Sequence, residues 1–297
     1  MFFRHMRIAG AAMILSTVPA SAGPVVYAVS NNYNDFTGEF GTVDLTTGAF
    51  NQIGPTNAVP LIGLVPGPNG NLLSVDQVAG NLDSIDPTTG AMSVVGAFPV
   101  VATNEPGNAP YSIAELNGTV YATDLYGNLY TLNTTTGAST IVGITGIPLC
   151  PSVINPDDVS DETLFTANGE LYATFDGIDL TNLAVVNLPE LYQINPATGL
   201  ATEVGPTALG LDATVQVNGT VYGLAFGYAG SNTVLSLDLA NGNTTFLDDY
   251  VSSPVPGGGN SFDIQGAAPT PEPASFMLIC GGLLVAVGSR KLVPRRR

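Results

Sequence analysis

The central part of this sequence lacks positively charged side chains. The chain has 297 residues, with seven Lys and Arg against 24 Asp and Glu, one His and no Trp. The basic residues are confined to the two ends: Arg4, Arg7, Arg290, Lys291, Arg295, Arg296 and Arg297. Since the single histidine is His5, the whole stretch between Ile8 and Ser289 contains no Lys, Arg or His.

This absence excludes several classes of function. A body without cations cannot neutralise phosphates, which excludes nucleic-acid binding and a nucleotide-binding P-loop. It also has no residues for Ser-His-Asp or Cys-His catalysis, for a histidine zinc site or for a Schiff-base lysine. Cys150 is the one cysteine of the body and Cys280 lies near the C-terminus, so no disulfide framework is expected within the domain. Carboxylates, hydroxyls, amides and tyrosines remain as the available chemistry.

The basic residues at the N-terminus belong to a predicted secretory signal peptide, residues 1–22. Arg4 and Arg7 supply its positive start, an apolar stretch follows, and Ala20 and Ala22 form a small-residue cleavage site. Signal peptidase is therefore an expected partner, and the mature chain is predicted to begin at Gly23.

The C-terminal residues 269–297 have three parts in a fixed order. Pro271, Glu272 and Pro273 lie in a short motif at 271–275, an uncharged apolar segment covers 274–289, and a basic end covers 290–297 with Arg290, Arg295, Arg296 and Arg297. The apolar run is shorter than the ~20 residues that span a bilayer comfortably, which favours a transient anchor. The basic cluster would hold this end in the cytoplasm. An ordinary single-pass anchor is the alternative.

This tail resembles the PEP-CTERM sorting signal of Gram-negative bacteria. The resemblance implies an exported protein whose tail enters the inner membrane and is processed by an exosortase-like enzyme. It also implies a mature protein at the cell envelope, at the surface or outside the cell, often linked to exopolysaccharide or biofilm. The resemblance covers the tail alone and leaves the activity of the body open.

The body is an internal repeat of two alternating turn signals. The first is an Asx residue followed four positions later by Gly, at Asp44, Asp86, Asn133, Asn195 and Asp238. The second is Asn-Gly, at Asn69, Asn117, Asn168 and Asn218. Both favour hairpins, because the Asx side chain caps a turn and Gly accepts a positive φ. The capping role is therefore the expected one for Asp44, Asp86 and Asp238, in preference to catalysis.

These turns divide the body into units of four short antiparallel strands, which is typical of β-propeller blades. We therefore predict an all-β, five-bladed β-propeller over residues 23–268. The first unit begins with the second of its four strands, and the C-terminal strand 261–266 belongs to no complete unit. That strand is predicted to complete blade one and close the ring, with Gln265-Gly266 standing where Asn-Gly stands in the other blades.

The two kinds of turn are expected on one face of the propeller, which we call the plain face. The remaining connections, including every long one, are expected on the opposite or elaborated face. They are residues 31–38, 98–109, 144–160, 176–189 and 251–260. Loops mounted on a rigid scaffold commonly carry binding sites.

The long connections carry a cluster of acidic residues: Asp157, Asp158, Asp161, Asp176 and Asp179. Oxygen ligands without nearby cations favour Ca²⁺, and the alternative is a solvated acidic surface. Alignment of the first strands also places Glu162 and Asp212 at equivalent positions on adjacent blades, at the elaborated end of the central channel. Two carboxylates across a cleft are the minimum for glycoside hydrolysis.

The tyrosines fall into two groups. Tyr27, Tyr121, Tyr172 and Tyr222 repeat at one position of the second strand, which predicts packing between blades. The non-repeating Tyr33, Tyr126, Tyr228 and Tyr250 are the candidates for stacking on sugar rings.

Three functions remain open from the sequence. The preferred one is a non-catalytic surface or matrix module that binds extracellular polysaccharide, with Ca²⁺ as a bridging ion because the acidic body would otherwise repel an anionic polymer. A carboxylate-dependent glycosidase using Glu162 and Asp212 and a structural spacer without a ligand are the alternatives.

Overall fold

The computed structural model describes residues 23–32, 37–55, 61–76, 79–98, 110–124, 127–147, 158–179, 184–226, 232–250 and 262–271. These residues form five four-stranded antiparallel sheets, and the predicted five-bladed propeller is confirmed. The one helical element among them is a 3-10 turn at Pro68–Gly70. Within this described part, no helix is long and apolar enough to cross a membrane.

Twenty strands build the five blades. Blade one contains β1 Val25–Asn32, β2 Thr37–Asp44, β3 Phe50–Pro55 and β20 Phe262–Pro269. Blade two contains β4 Leu61–Pro66, β5 Leu72–Asp76, β6 Asn81–Ile85 and β7 Met92–Ala97. Blade three contains β8 Pro110–Leu116, β9 Thr119–Asp124, β10 Asn128–Leu132 and β11 Ser139–Ile144. Blade four contains β12 Asp158–Ala167, β13 Glu170–Asp179, β14 Ala184–Ile194 and β15 Ala201–Pro206. Blade five contains β16 Ala213–Val217, β17 Thr220–Phe226, β18 Asn232–Leu237 and β19 Thr244–Tyr250.

The ring closes through the last strand of the propeller. β20 pairs with β1 and becomes the innermost strand of blade one, as predicted. The innermost strands β4, β8, β12, β16 and β20 contact one another in a closed circle around the axis. Pairing with β20 covers the inner edge of β1 and gives blade one four strands like the others, and the short inner edges that remain face the axis of the ring.

The predicted equivalence of Gln265-Gly266 with the Asn-Gly turns is wrong. Both residues lie inside β20, which continues to Pro269, and Gly266 is paired with Val29. In blade three the corresponding pair is Thr123 and Ser112, in the middle of the inner strand. The physical reason is that β20 is the end of the ring and has no following strand to turn back to, so its pairing with β1 runs on.

Both predicted turn types are present. Asn117 and Gly118, at the β8–β9 turn, have φ values of 53° and 83°, a left-handed pair that fits a type I′ hairpin. At the β2–β3 turn, Asp44 Oδ1 accepts hydrogen bonds from Thr46 N at 2.8 Å and Thr46 Oγ1 at 2.6 Å. The same cap recurs in the other blades, so the turn-capping role of Asp44, Asp86 and Asp238 is confirmed.

The hydrophobic core consists of five clusters, each shared between neighbouring blades. The cluster between blades two and three, for example, joins Leu73 and Leu82 to Val120 and Tyr130. Each outermost strand contains a bulge that inserts one extra residue: Ile53, Val95, Val142, Val204 and Leu247. In four blades the next residue is a glycine that touches the Asx turn of the following blade: Gly54, Gly96, Gly143 and Gly205.

Candidate functional site

A central cavity of about 180 Å³ follows the axis of the ring and is lined by all five innermost strands. A cavity of this volume is large enough to hold several water molecules. Its lining includes one acidic residue, Asp212, at the elaborated end, together with the hydroxyls of Ser112, Thr163 and Thr214. The size and polar lining of this space suit water or a small ion.

Two of these hydroxyls are used to join neighbouring blades. Ser112 Oγ accepts a hydrogen bond from Leu164 N at 2.8 Å, and Thr163 Oγ1 donates to the carbonyl oxygen of Leu211. Thr214 differs, because its Oγ1 is buried and has no hydrogen-bond partner within the described part of the chain.

The strands of the β12–β13 hairpin extend further toward the elaborated face than those of the other blades. β12 and β13 have ten residues each, compared with five and seven in blade five. The extra length places acidic residues directly opposite one another, since Asp161 pairs with Asp176 and Asp158 pairs with Asp179. Like charges in opposite register destabilise a strand pair unless a cation or a proton offsets them.

This arrangement corrects the predicted position of the acidic cluster. Asp158, Asp161, Asp176 and Asp179 lie on strands and not in loops, because β12 begins at Asp158 and β13 continues to Asp179. Glu162 also lies on β12, where the alignment of the first strands placed it. The backbone register brings the two acidic groups together. Their side chains, and Asp157 entirely, lie outside the described part of the structure. Within that part, no group of three or more Asp, Glu, His or Cys is placed to hold a metal ion.

The proposed catalytic pair occupies matching backbone positions. Glu162 lies five residues before Ala167, the last residue of β12, and Asp212 lies five residues before Val217, the last residue of β16. Asp212 lines the cavity, and its backbone N–H donates to the carbonyl oxygen of Leu224 at 2.9 Å. The Glu162 side chain lies outside the described residues, and the catalytic role of the pair remains a prediction.

Blade two contains a pair of buried carboxyl groups that the sequence did not predict. Asp76 and Asp83 are 5% and 2% exposed and lie on neighbouring strands, β5 and β6. Burial, with a further contribution from the charge of Asp76, raises the pKa of Asp83 to about 6. Asp76 Oδ1 also accepts a hydrogen bond from Ala79 N at 2.8 Å, which ties this pair to the β5–β6 connection on the elaborated face.

Blade three shows how the same positions are satisfied without a second acid. By strand register, Asp124 of blade three is equivalent to Asp76 of blade two, and Tyr130 is equivalent to Asp83. Tyr130 Oη donates to Asp124 Oδ2 at 2.8 Å, and Asn128 adds hydrogen bonds to both carboxylate oxygens. Burial and the hydrogen bond to Asp124 raise the pKa of Tyr130. The signal available in the sequence was the shared ending of the strands LLSVD and TVYATD, at Asp76 and Asp124.

The repeated tyrosines pack between blades, as predicted. Tyr172 is buried in the cluster that joins blades four and five and stacks on Phe165 with a centroid separation of 5.6 Å. Tyr27, Tyr121 and Tyr222 pack against three of the other clusters. The four candidates for stacking on sugar rings remain predictions. Tyr33, Tyr126 and Tyr228 lie outside the described residues, as does the side chain of Tyr250. Cys150 also lies outside them.

Comparison with known proteins identifies the tail. The chain is an exported protein with a β-propeller body. Its residues 269–291 match the PEP-CTERM protein-sorting motif, so the resemblance stated from Pro271, Glu272 and Pro273 is confirmed. The motif implies export, a C-terminal membrane-anchoring sorting signal, and processing by signal peptidase and exosortase. No curated protein matches the chain by sequence.

Solved structures resemble the body at low sequence identity. A chain from the crystal structure of a nidogen/laminin complex has 14% identity and a TM-score of 0.47, covering 82% of this chain and 97% of that chain. TolB from Acinetobacter baumannii has 13% identity and a TM-score of 0.46, covering 87% and 69%. The PQQ-bound aldose sugar dehydrogenase from Streptomyces coelicolor has 16% identity and a TM-score of 0.43, covering 68% and 66%.

Proposed function

We propose that this exported propeller is a non-catalytic binding module at the cell surface or in the extracellular matrix, and that its ligand is an anionic extracellular polysaccharide. The supporting observation is the extended hairpin of blade four, where Asp161 pairs with Asp176 and Asp158 with Asp179. A face with this concentration of carboxylates, in a body without Lys or Arg, repels an anionic polymer unless a divalent cation lies between them.

Calcium is the cation we assign to this role. It takes six to eight oxygen ligands, which carboxylates, carbonyls and the polymer itself can supply together. Ca²⁺ thereby offsets the repulsion across the hairpin and joins the polymer to the elaborated face.

Co-sedimentation of the purified protein with the exopolysaccharide of the producing organism tests this proposal. We expect retention in Ca²⁺ and release by EGTA, and we expect D161N/D176N to lose most of the retention. D86N/D44N is the matched control, because it removes the same charge from the plain face, where Asn occupies the equivalent position in blades three and four. Equal losses in both variants, or no retention of the unmodified protein, would contradict binding at this hairpin.

The same preparation separates the alternatives. Release of reducing sugars from a panel of glycans, abolished in E162Q and in D212N, would establish a glycosidase in place of a binding module. A protein that neither hydrolyses nor binds any glycan, with or without Ca²⁺, would leave the structural spacer.

A further inference from the structure

The end of the propeller and the start of the sorting motif coincide. β20 ends at Pro269, and the matched motif begins at the same residue. The chain therefore passes from the closing strand of the ring into the sorting signal without a linker. The place where β20 leaves the ring decides where the tail is attached to the body.

That place is the plain face. Val25, the first residue of β1, pairs with Asp44, which begins the β2–β3 Asx turn. Val26 pairs with Pro269, so the end of β20 lies beside the start of β1 and beside that turn. Because successive strands are antiparallel, the elaborated connections lie at the other end of every strand.

The exit of the chain is also firmly held. Thr270 Oγ1 donates to the carbonyl oxygen of Val25 at 2.7 Å, and Ala268 is 1% exposed. The residues preceding β1 are packed on the same turn, since Leu45 N donates to the carbonyl oxygen of Pro24 at 2.9 Å. The attachment point is thus part of the packed structure of blade one.

Chain length then limits the orientation of the whole body. Only Glu272 and Pro273 lie between Pro271 and Ala274, where the apolar segment of the tail starts, and the three Cα-to-Cα steps span at most ~10 Å when fully extended. The inner strand β8 has seven residues, so the two faces of the ring are ~20 Å apart. A tether of ~10 Å cannot reach from the plain face around the ring to a membrane on the elaborated side.

We propose that, while the tail is anchored, the propeller rests with its plain face against the membrane surface and its elaborated face pointing away. The short hairpin turns of the plain face allow this close approach. The Asp161 and Asp176 hairpin and the Asp212 end of the channel are then presented to the space outside the membrane. This orientation follows from the attachment point and is independent of the ligand and of the proposed function.

Energy transfer from single tryptophans to lipid headgroups tests the orientation, because the chain contains no Trp. The tail-bearing protein, reconstituted in bilayers with dansyl-labelled headgroups, would carry A240W in the β18–β19 turn of the plain face. The matched control is L209W in the β15–β16 connection of the elaborated face; both residues are exposed. We expect transfer from A240W to exceed transfer from L209W several-fold.

A second pair of tryptophan positions keeps the test decisive if one of the first variants misfolds. Ala197, in the β14–β15 turn, and Ala79, in the β5–β6 connection, are exposed on the plain and elaborated faces. Circular dichroism identifies the variants that keep the strand signal of the unmodified protein. Equal transfer from both faces, or greater transfer from L209W and A79W, would overturn the proposal.

Discussion

The carbonyl oxygen of Thr136 lies 2.0 Å from the point where a Cβ would stand on Gly96. Gly96 belongs to the outer strand of blade two, and Thr136 belongs to the Asx turn of blade three. The contact brings two blades together backbone to backbone at the rim of the ring. It recurs at three further interfaces, at Gly54, Gly143 and Gly205.

We therefore expect G96A to be strongly destabilising. The new methyl group meets fixed backbone, so the two blades must separate locally, and overpacking of this kind costs ~1–3 kcal/mol or more. Denaturant unfolding followed by circular dichroism measures the loss. G118A is the matched control, because open space surrounds Gly118 and only its φ of 83° opposes a side chain, at a cost of ~1–2 kcal/mol. A smaller effect for G96A than for G118A would contradict the role of the contact.

The repeated turns could be predicted from the sequence, whereas the bulge and the glycine at the rim were not predicted. The turns were visible because Asx-to-Gly and Asn-Gly spacings repeat, and with them the strand order and the number of blades followed. The bulge and its glycine were equally visible as Ile53-Gly54, Val95-Gly96, Val142-Gly143 and Val204-Gly205. In blade five the pair becomes Leu247-Asp248, so the interface beside the closing strand lacks the rim glycine.

The strand positions of the acidic residues could not be predicted from the sequence. Their clustering was evident, but a cluster of Asp in a Gly-containing segment favours a loop by composition. Strand pairing depends on the partner chosen across the hairpin, and this non-local choice placed Asp161 opposite Asp176. The Asp76 and Asp83 pair was invisible for a similar reason, since only the β5–β6 register and the neighbouring blade bury both carboxyls.

The Asx caps give a prediction about equivalent positions. N133A should destabilise the protein by ~1 kcal/mol, because Asn133 Oδ1 accepts from Thr135 N at 2.9 Å and from Thr135 Oγ1 at 2.7 Å. N133D should be close to neutral, since Asp86 makes the same two hydrogen bonds in blade two. Thermal unfolding of both variants measures the difference. Equal destabilisation by the two substitutions would show that capping is not the function of Asn133.

The buried carboxyl of Asp83 predicts a dependence of stability on pH. Its pKa is raised from 3.8 to about 6 in the folded protein, so the folded state keeps a proton that the unfolded chain releases. Stability from this group is fully present below about pH 4 and is lost as the pH rises to about 6, by at most ~3 kcal/mol, with no further loss at higher pH. D83N cannot ionise and should lose this decrease between about pH 4 and pH 7.

Denaturant unfolding across this range measures the effect in the two proteins. The Asx caps affect stability in a different pH range. Partial burial tends to raise the pKa of Asp44, but hydrogen bonds from Thr46 and Thr47 outweigh it and lower the pKa. Its contribution is present above pH ~4 and disappears in stronger acid. An equal loss of stability between about pH 4 and pH 7 in D83N and the unmodified protein would assign the pH dependence to other groups.

The paired aspartates of blade four predict stabilisation by calcium. Because Asp161 lies opposite Asp176 and Asp158 opposite Asp179, Ca²⁺ should raise the melting temperature by offsetting their repulsion, whereas NaCl at equal ionic strength should raise it less. D161N/D176N should raise the melting temperature without calcium and should remove most of the calcium response. D44N/D86N, with the same change in charge on the plain face, should retain that response. If calcium stabilised the two double variants equally, the ion would be bound elsewhere, and the hairpin would be a solvated acidic surface.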